Sequence, residues 1–156
     1  MEVGIVRINK ANYYLFDELV FYRINSSRRN EEENMQPLNF SGCFEALDNS
    51  NLYVFAAEFN NEFVGWISIN YLPKIGRTNG KGYLFIDELW VDSAFRNRGI
   101  AKSLMYKADE VANTLSCLGT RLYVSADNES AIRLYEKCGY TNKRKTYYMD
   151  KEYKIS

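Results

Sequence analysis

Apolar positions along the 156-residue chain follow two rhythms, one of period two and one of helical period, and their order predicts the elements. Val3 to Ile8, with branched residues at 3, 5, 6 and 8, suits a short strand. After Asn9, a candidate N-cap, Ala11, Leu15, Leu19 and Tyr22 recur at helical spacing and predict a first helix that ends near Ile24. Asn25 to Met35 is polar, with Arg28-Arg29 before Glu31-Glu32-Glu33, and reads as a solvated connection. Phe40 to Leu47 predicts a second short helix after Pro37, stopped by the turn cluster Asp48-Asn49-Ser50-Asn51.

The pattern then switches to strands. Leu52 to Phe59 is apolar, and Asn60-Asn61 turns it tightly into Glu62 to Tyr71, where Phe63, Gly65, Ile67, Ile69 and Tyr71 alternate with Val64, Trp66, Ser68 and Asn70. Gly76 to Gly82 faintly resembles a nucleotide P-loop but is one residue short between its glycines and lacks Ser or Thr after Lys81, so it reads as a second hairpin loop. It leads into the strand Tyr83 to Val91 and completes an antiparallel meander. Ile100, Leu104, Ala108, Val111, Leu115 and Leu118 mark one face of a helix of about five turns, ended by Gly119. Arg121 to Ser125 predicts a strand parallel to Tyr83–Val91, as the crossover rule requires. Asp127 or Asn128 caps a further helix with Ala131, Leu134, Tyr135 and Cys138 inward, closed by Gly139. Tyr140-Thr141 and Lys145 to Asp150 read as terminal strands. The sum is an α/β fold: a mixed, mostly antiparallel sheet of about seven strands with helices on both faces, in one domain.

Composition narrows the function classes. A hydrophobic fraction of 46% and an aromatic fraction of 15% suffice for one ordinary core. Lys plus Arg and Asp plus Glu both number 20, so no whole-chain field points to nucleic acid or a membrane surface as partner. Cys43, Cys117 and Cys138 are odd in number and widely spaced in a chain without His. That pattern argues against a disulfide framework and the usual zinc sites, predicts no metal, and fits a reducing cytoplasm. Neither a signal peptide nor a membrane-spanning run is expected.

The candidate chemistry centres on Asp87 to Lys102, a strand end, a basic glycine turn and a helix start. Amides of Arg98 to Lys102 would sit at the positive end of that helix, where unpaired N–H groups favour an anion. The stretch reads as a phosphate cradle.

Arg96-Asn97-Arg98-Gly99-Ile100-Ala101 resembles the Arg/Gln-x-x-Gly-x-Gly/Ala signature of the GNAT superfamily of N-acetyltransferases. Leu89-Trp90-Val91-Asp92 before it looks like that family's fourth strand. Asp127 to Tyr140 looks like its Asn-x-x-Ala-x-x-Leu-Tyr-x-x-x-Gly-Phe/Tyr segment. The resemblance covers Leu52 to Asp150. It implies a GNAT-like fold in residues 1–156, with 1–51 on the acceptor side and 52–150 holding acetyl-CoA.

Several roles are implied by that resemblance. Amides of Gly99, Ile100, Ala101 and Lys102 would bind the pyrophosphate, with charge-assisted contacts from Arg96, Arg98 and Lys102. The pantetheine arm would pair with the backbone of Leu89, Trp90 and Val91, with Asn128 on its other side. Tyr135 would protonate the departing thiolate; a phenol of reference pKa about 10 can do so for a thiol of about 8.5. An alkylammonium of pKa about 10.4 is neutral in roughly one molecule in 2500 at pH 7, a cost of about 4.6 kcal/mol, so a base should assist. Asp87 and Glu88 are the candidates. Acidic pairs here resemble those of polyamine and other small-amine acetyltransferases, whose earlier residue is the base, which maps to Asp87; a strand bulge would shift the assignment to Glu88. Tyr123 stands where members that acetylate protein N-termini often keep a glutamate. Cys138, in a chain without His, reads as a core residue.

The resemblance therefore implies an acetyl-CoA-dependent N-acetyltransferase of a primary amine, leaning to a small cationic one, with a protein lysine as another acceptor. Tyr13, Tyr14, Phe21 and Tyr22 are candidates to line the acceptor site. A non-catalytic acyl-CoA-binding sensor or partner-binding module is the alternative; it would need the glycine turn but neither the carboxylates nor Tyr135. Monomer and homodimer stay open.

Overall fold

The computed structural model describes residues 2–76 and 78–155, which fall into two compact units divided between Tyr123 and Val124. In the first unit, β1 (Gly4–Arg7), β2 (Leu52–Phe59), β3 (Glu62–Leu72), β4 (Tyr83–Val91) and β5 (Gly119–Leu122) form one sheet in sequential order. Helices α1 (Tyr13–Asn25), α2 (Glu31–Asn34) and α3 (Ser41–Leu47) lie between β1 and β2, and α4 (Ile100–Thr114) connects β4 to β5. The second unit holds α5 (Glu129–Lys137).

Among the described residues the sheet has five strands, not the expected seven or so, and it is mixed rather than mostly antiparallel: β1 to β4 pair antiparallel and β4–β5 is parallel. Residues 140–141 and 145–150 are not strands. Strand propensity is largely a fit to a paired, half-buried surface. Tyr147, Tyr148 and Met149 are exposed and sit in no ladder, so their β-prone composition has nothing to act on.

Alternation along β2 divides the core into two layers. Ala56 and Trp66 pack with Ile8, Leu19 and Phe63 in one buried cluster, flanked by Val20, Tyr22 and Trp90. Phe16 of α1 meets Trp66 edge-on at 5.2 Å, so this is the α1 face. Phe55, the neighbour of Ala56, lies under Lys107 of α4 on the other face. There the buried Ile100, Leu104, Met105, Ala108 and Val111 form the inward stripe of α4. Asn60 and Asn61, both with positive φ (50° and 62°), make the expected tight turn between β2 and β3.

Several boundaries move for identifiable reasons. The N-cap of α1 is Asn12, not Asn9; the Asn9 side chain instead accepts from the amides of Ala11 (2.9 Å) and Asn12 (3.0 Å), forming a turn ahead of the helix. The connection from Asn25 to Met35 contains α2, held by a capping box in which Asn30 accepts from the Glu33 amide at 2.8 Å and Glu33 reaches back to Asn30. Helix α4 ends at Thr114 rather than at Gly119. Ser116 takes the left-handed conformation (φ 54°), and the Cys117 amide bonds the Ala112 carbonyl at 2.9 Å, closing the helix a few residues early. Gly119 is thereby free to start β5, which runs to Leu122 instead of from Arg121 to Ser125. Thr78–Gly80 forms a short 3-10 turn in the loop read as a hairpin; Arg77 lies outside the described residues. No helix among the described residues is long and apolar enough to cross a membrane.

Candidate active site

Strands β4 and β5 pair only from Tyr83↔Gly119 to Ile86↔Leu122. From Asp87 to Val91, β4 continues without a strand partner on that side among the described residues, while its other edge stays bonded to β3. The free edge presents backbone groups that an extended ligand can pair with, as a strand would.

The same point on β4 carries a bulge. Ile86 pairs with Ile69, but Glu88, not Asp87, pairs with Ser68, so Asp87 is the extra residue. The insertion inverts the alternation. Leu89 and Val91 follow Ile67 and Gly65, while Glu88 and Trp90 stand with Ser68 and Trp66 on the α1 face. Trp66 and Trp90 rings lie 5.2 Å apart. Both Asp87 and Glu88 are exposed, and among the described residues only Glu88 has a salt-bridge partner, Arg23 of α1, at 3.2 Å. The Arg23 guanidinium also lies over the Trp66 and Trp90 rings, at 5.0 and 5.5 Å from their centroids.

A cavity of about 240 Å³ adjoins this cluster, lined by Tyr22, Arg23, Ser26, Trp90, Asp92, Ser93 and Arg96. It is below the roughly 300 Å³ at which pockets for drug-sized ligands begin, a size suited to a narrow chain. Of the four aromatic residues expected at the acceptor site, only Tyr22 lines it. Tyr13 packs against Phe16, Phe40 and Phe44, Phe21 lies under Arg29, and Tyr14 is exposed.

Beyond β4, Asp92 is buried; its side chain accepts from the Ala94 amide at 3.1 Å and its own amide bonds Val64 at 2.8 Å, which fixes the turn Ser93–Phe95. Arg96 donates through Nε to the Val91 carbonyl at 2.9 Å, so part of its guanidinium secures the turn. Arg98 stacks over Phe95 and Lys102 over Tyr106. Gly99 is the N-cap of α4 with φ 79°, a conformation costly for residues bearing a Cβ. A Cβ built there would meet nothing within 4 Å, so the space before the first turn is open. Having no side chain, Gly99 leaves the first amides of Ile100, Ala101 and Lys102 without a cap from that position.

The first unit thus brings Asp87, Glu88, Leu89, Trp90, Val91, Arg96, Arg98, Gly99, Ile100, Ala101 and Lys102 into one continuous segment. In the second unit, Asn128 caps α5 by accepting from the Ala131 amide at 3.3 Å. Tyr135 lies one turn before the helix end. Gly139 (φ 92°) closes that helix, the Tyr140 amide bonds the Tyr135 carbonyl at 3.0 Å, and the two rings lie 6.2 Å apart. Burial, and then Cys138 nearby, hold the Tyr135 phenol above its ordinary pKa, so it stays protonated through the neutral range. Tyr123 follows β5, exposed, its ring 5.6 Å from that of Phe85.

Sequence reasoning missed Arg23, Ser26, Asp92 and Ser93. Arg23 is the basic residue in the last turn of α1, and the apolar repeat that defined this helix passes it by. No local signal links it to Glu88, which lies 65 positions away.

An open strand edge leads through a fixed turn into a glycine-started helix of an α/β domain. The description of the family whose model matches residues 13–140 is acetyltransferase (GNAT) family, and the chain belongs to it. Over 67 residues the chain is 37% identical to an acetyltransferase of Agrobacterium fabrum, a match covering 43% of this chain and 47% of that protein. It is 23% identical over 83 residues to the spermine/spermidine N(1)-acetyltransferase of Bacillus subtilis, covering 53% of this chain and 55% of that one. The chain matches about half the length of these curated relatives. Among solved structures, an aminoglycoside acetyltransferase from an uncultured soil metagenomic sample superposes with a TM-score of 0.79 at 19% identity, covering 97% of each chain. AAC(6')-Iy, in complex with the bisubstrate analogue CoA-S-monomethyl-acetylneamine, does so with 0.76 at 16%, covering 97% of this chain and 99% of that one. At these identities the likeness is one of fold.

Proposed function

We propose that this chain is an acetyl-CoA-dependent N-acetyltransferase whose acceptor is a primary amine, preferably a small cationic one, acting by direct attack within a single GNAT domain. The observation that carries the proposal is the β4 bulge at Asp87, placed where β5 parts from β4. It gives Glu88 the sheet face shared with Trp66 and Trp90, beside the free strand edge. GNAT enzymes use acetyl-CoA, and the bisubstrate analogue in AAC(6')-Iy carries CoA.

The residues suit the cofactor. The open space before Gly99 and the uncapped start of α4 favour the pyrophosphate, with Arg98 and Lys102 adding charge. Leu89, Trp90 and Val91 offer their free backbone edge to the pantetheine arm. The Asn128 side-chain oxygen is engaged in its own cap, which leaves the amide nitrogen for the role the family motif gives that residue. In the transfer, the amine nitrogen attacks the thioester carbonyl and its proton passes to a carboxylate. The register favours Glu88 over Asp87 as that base, because the bulge gives Glu88 the face shared with Trp66 and Trp90. An amide near Val91 polarises the carbonyl oxygen. As the C–S bond breaks, Tyr135, the position the family motif gives this role, protonates the leaving sulfur; its phenol is held protonated at neutral pH.

A tryptophan-lined carboxylate favours cationic acceptors because indole faces and a carboxylate both attract an ammonium group. The relative named for spermine and spermidine, and the neighbours named for aminoglycosides, agree with that leaning. Thiol release from acetyl-CoA with a panel of amines tests the proposal. Amine-dependent release with intersecting initial-rate lines is expected. Tight CoA binding without turnover of any amine would favour the non-catalytic acyl-CoA-binding module instead.

A further inference from the structure

The Arg23 guanidinium satisfies the recognition set that a cationic acceptor would need: a carboxylate, Glu88, at 3.2 Å and two indole faces at 5.0 and 5.5 Å. We infer that Arg23 is an internal occupant of the acceptor's cation site and a specificity-determining residue that incoming amines must displace; the inference rests on the proposed acceptor site at Glu88. Guanidinium does not deprotonate in proteins, so this occupant neutralises the carboxylate without becoming a nucleophile or giving up a proton.

Neighbouring contacts show which part can move. After α1, Arg28 pairs with Glu62, and Arg29 pairs with both Asp17 and Glu18 while lying over the Phe21 ring. The end of α1 is therefore tied by the Arg29 pairs, and the freedom left to Arg23 is that of its side chain. Arg29 is pinned, its side chain only 10% exposed, whereas the Arg23 and Glu88 side chains are 41% and 49% exposed. A pair so open to water is weakly held and competes poorly with a strongly cationic ligand. Displaced guanidinium has a destination as well. Arg23 already lines the adjoining cavity of about 240 Å³.

The arrangement discriminates among amines. An acceptor with one amino group must give up its only charge to react and then has nothing left to hold the site against Arg23. A polyamine keeps a second cationic centre, which the Trp66 and Trp90 faces can hold in place of the Arg23 guanidinium while Glu88 takes the proton of the attacking nitrogen. Arg23 thereby disfavours simple alkylamines.

The test uses the chain's two tryptophans, Trp66 and Trp90, as reporters. Spermidine and butylamine are titrated by tryptophan fluorescence, without acetyl-CoA, into the wild type, Arg23→Gln and Arg23→Lys. Arg23→Gln should bind spermidine about tenfold more tightly than wild type and discriminate less against butylamine. Arg23→Lys should behave like wild type, and added guanidinium ion should weaken spermidine binding to Arg23→Gln more than to wild type. In turnover, the Arg23→Gln change should appear as a lowered KM. Unchanged or weaker spermidine binding by Arg23→Gln, or a fall in kcat at constant KM, would overturn the inference and make Arg23 a support for Glu88. Should the wild type turn over none of the amines of the panel, the acetyltransferase reading fails, and the fluorescence titrations still decide the role of Arg23.

Discussion

Glu88 of β4 stands opposite Ser68 of β3, although Ile86 stands opposite Ile69, so one residue of β4 is left over between them. That extra residue, Asp87, gives the two adjacent carboxylates different surroundings. Glu88 pairs with Arg23, whose guanidinium lies over Trp66 and Trp90, whereas Asp87 has no salt bridge among the described residues.

The division predicts unequal mutants. Glu88→Gln should lower kcat/KM by about 10²- to 10⁴-fold, the range for removal of a general base. Asp87→Asn should cost less, about tenfold, by altering the bulge. Steady-state kinetics with a polyamine acceptor checks both, and a larger loss in Asp87→Asn would reverse the assignment.

Gly99 is required for its backbone conformation. With φ 79° and open space around it, Gly99→Val should strain the turn by roughly 1–2 kcal/mol and place a branched side chain before the first amides of α4. CoA affinity, measured by calorimetry, should fall more than tenfold, while the circular dichroism spectrum stays that of the wild type.

At Gly65 the constraint is proximity instead. A Cβ there would lie 2.8 Å from the Trp90 carbonyl oxygen and 3.1 Å from Val91 Cγ2. Gly65→Ala should therefore push the end of β4 away from β3, costing roughly 1–3 kcal/mol in urea unfolding and weakening CoA binding through Val91.

Two tyrosines link stability to alkaline pH. Tyr13 is held above its ordinary value by burial, then by its hydrogen bond with Cys43 and the nearby charges of Cys43 and Asp17; burial and then Cys138 raise Tyr135. The folded chain keeps these protons longer than the unfolded one. Their contribution is fully present below about pH 10 and is lost as pH rises from there through the raised folded values. Thermal melts should show Tm falling above about pH 10, with a shallower fall in Tyr13→Phe. Tyr135→Phe should also lower kcat by about 10²-fold or more, and an unchanged rate would remove its acid role.

Much of this was legible in the sequence, for physical reasons. β2 and β4 have the predicted bounds because their alternating or apolar runs are set by burial against layers on both sides. Gly99 was legible because a basic glycine turn after an apolar strand has few other uses. What depended on distant partners was not. The bulge exists in the pairing of Ser68 and Ile69 with β4, and nothing within Ile86-Asp87-Glu88 announces it. Arg23 joins the site only through the placement of the α1 end. The left-handed Ser116 closed α4 early where a glycine three positions later had seemed the natural stop. The strands expected at 140–141 and 145–150 were read from propensity alone, which needs a ladder to be realised.

The most direct test of the central claim is to incubate the protein with spermidine and acetyl-CoA carrying an isotopically labelled acetyl group, and to follow the amine by mass spectrometry. Direct acetyl transfer predicts labelled N-acetylspermidine in an amount equal to the CoA released. CoA bound and retained, or released without label on any amine of the panel, would contradict the account.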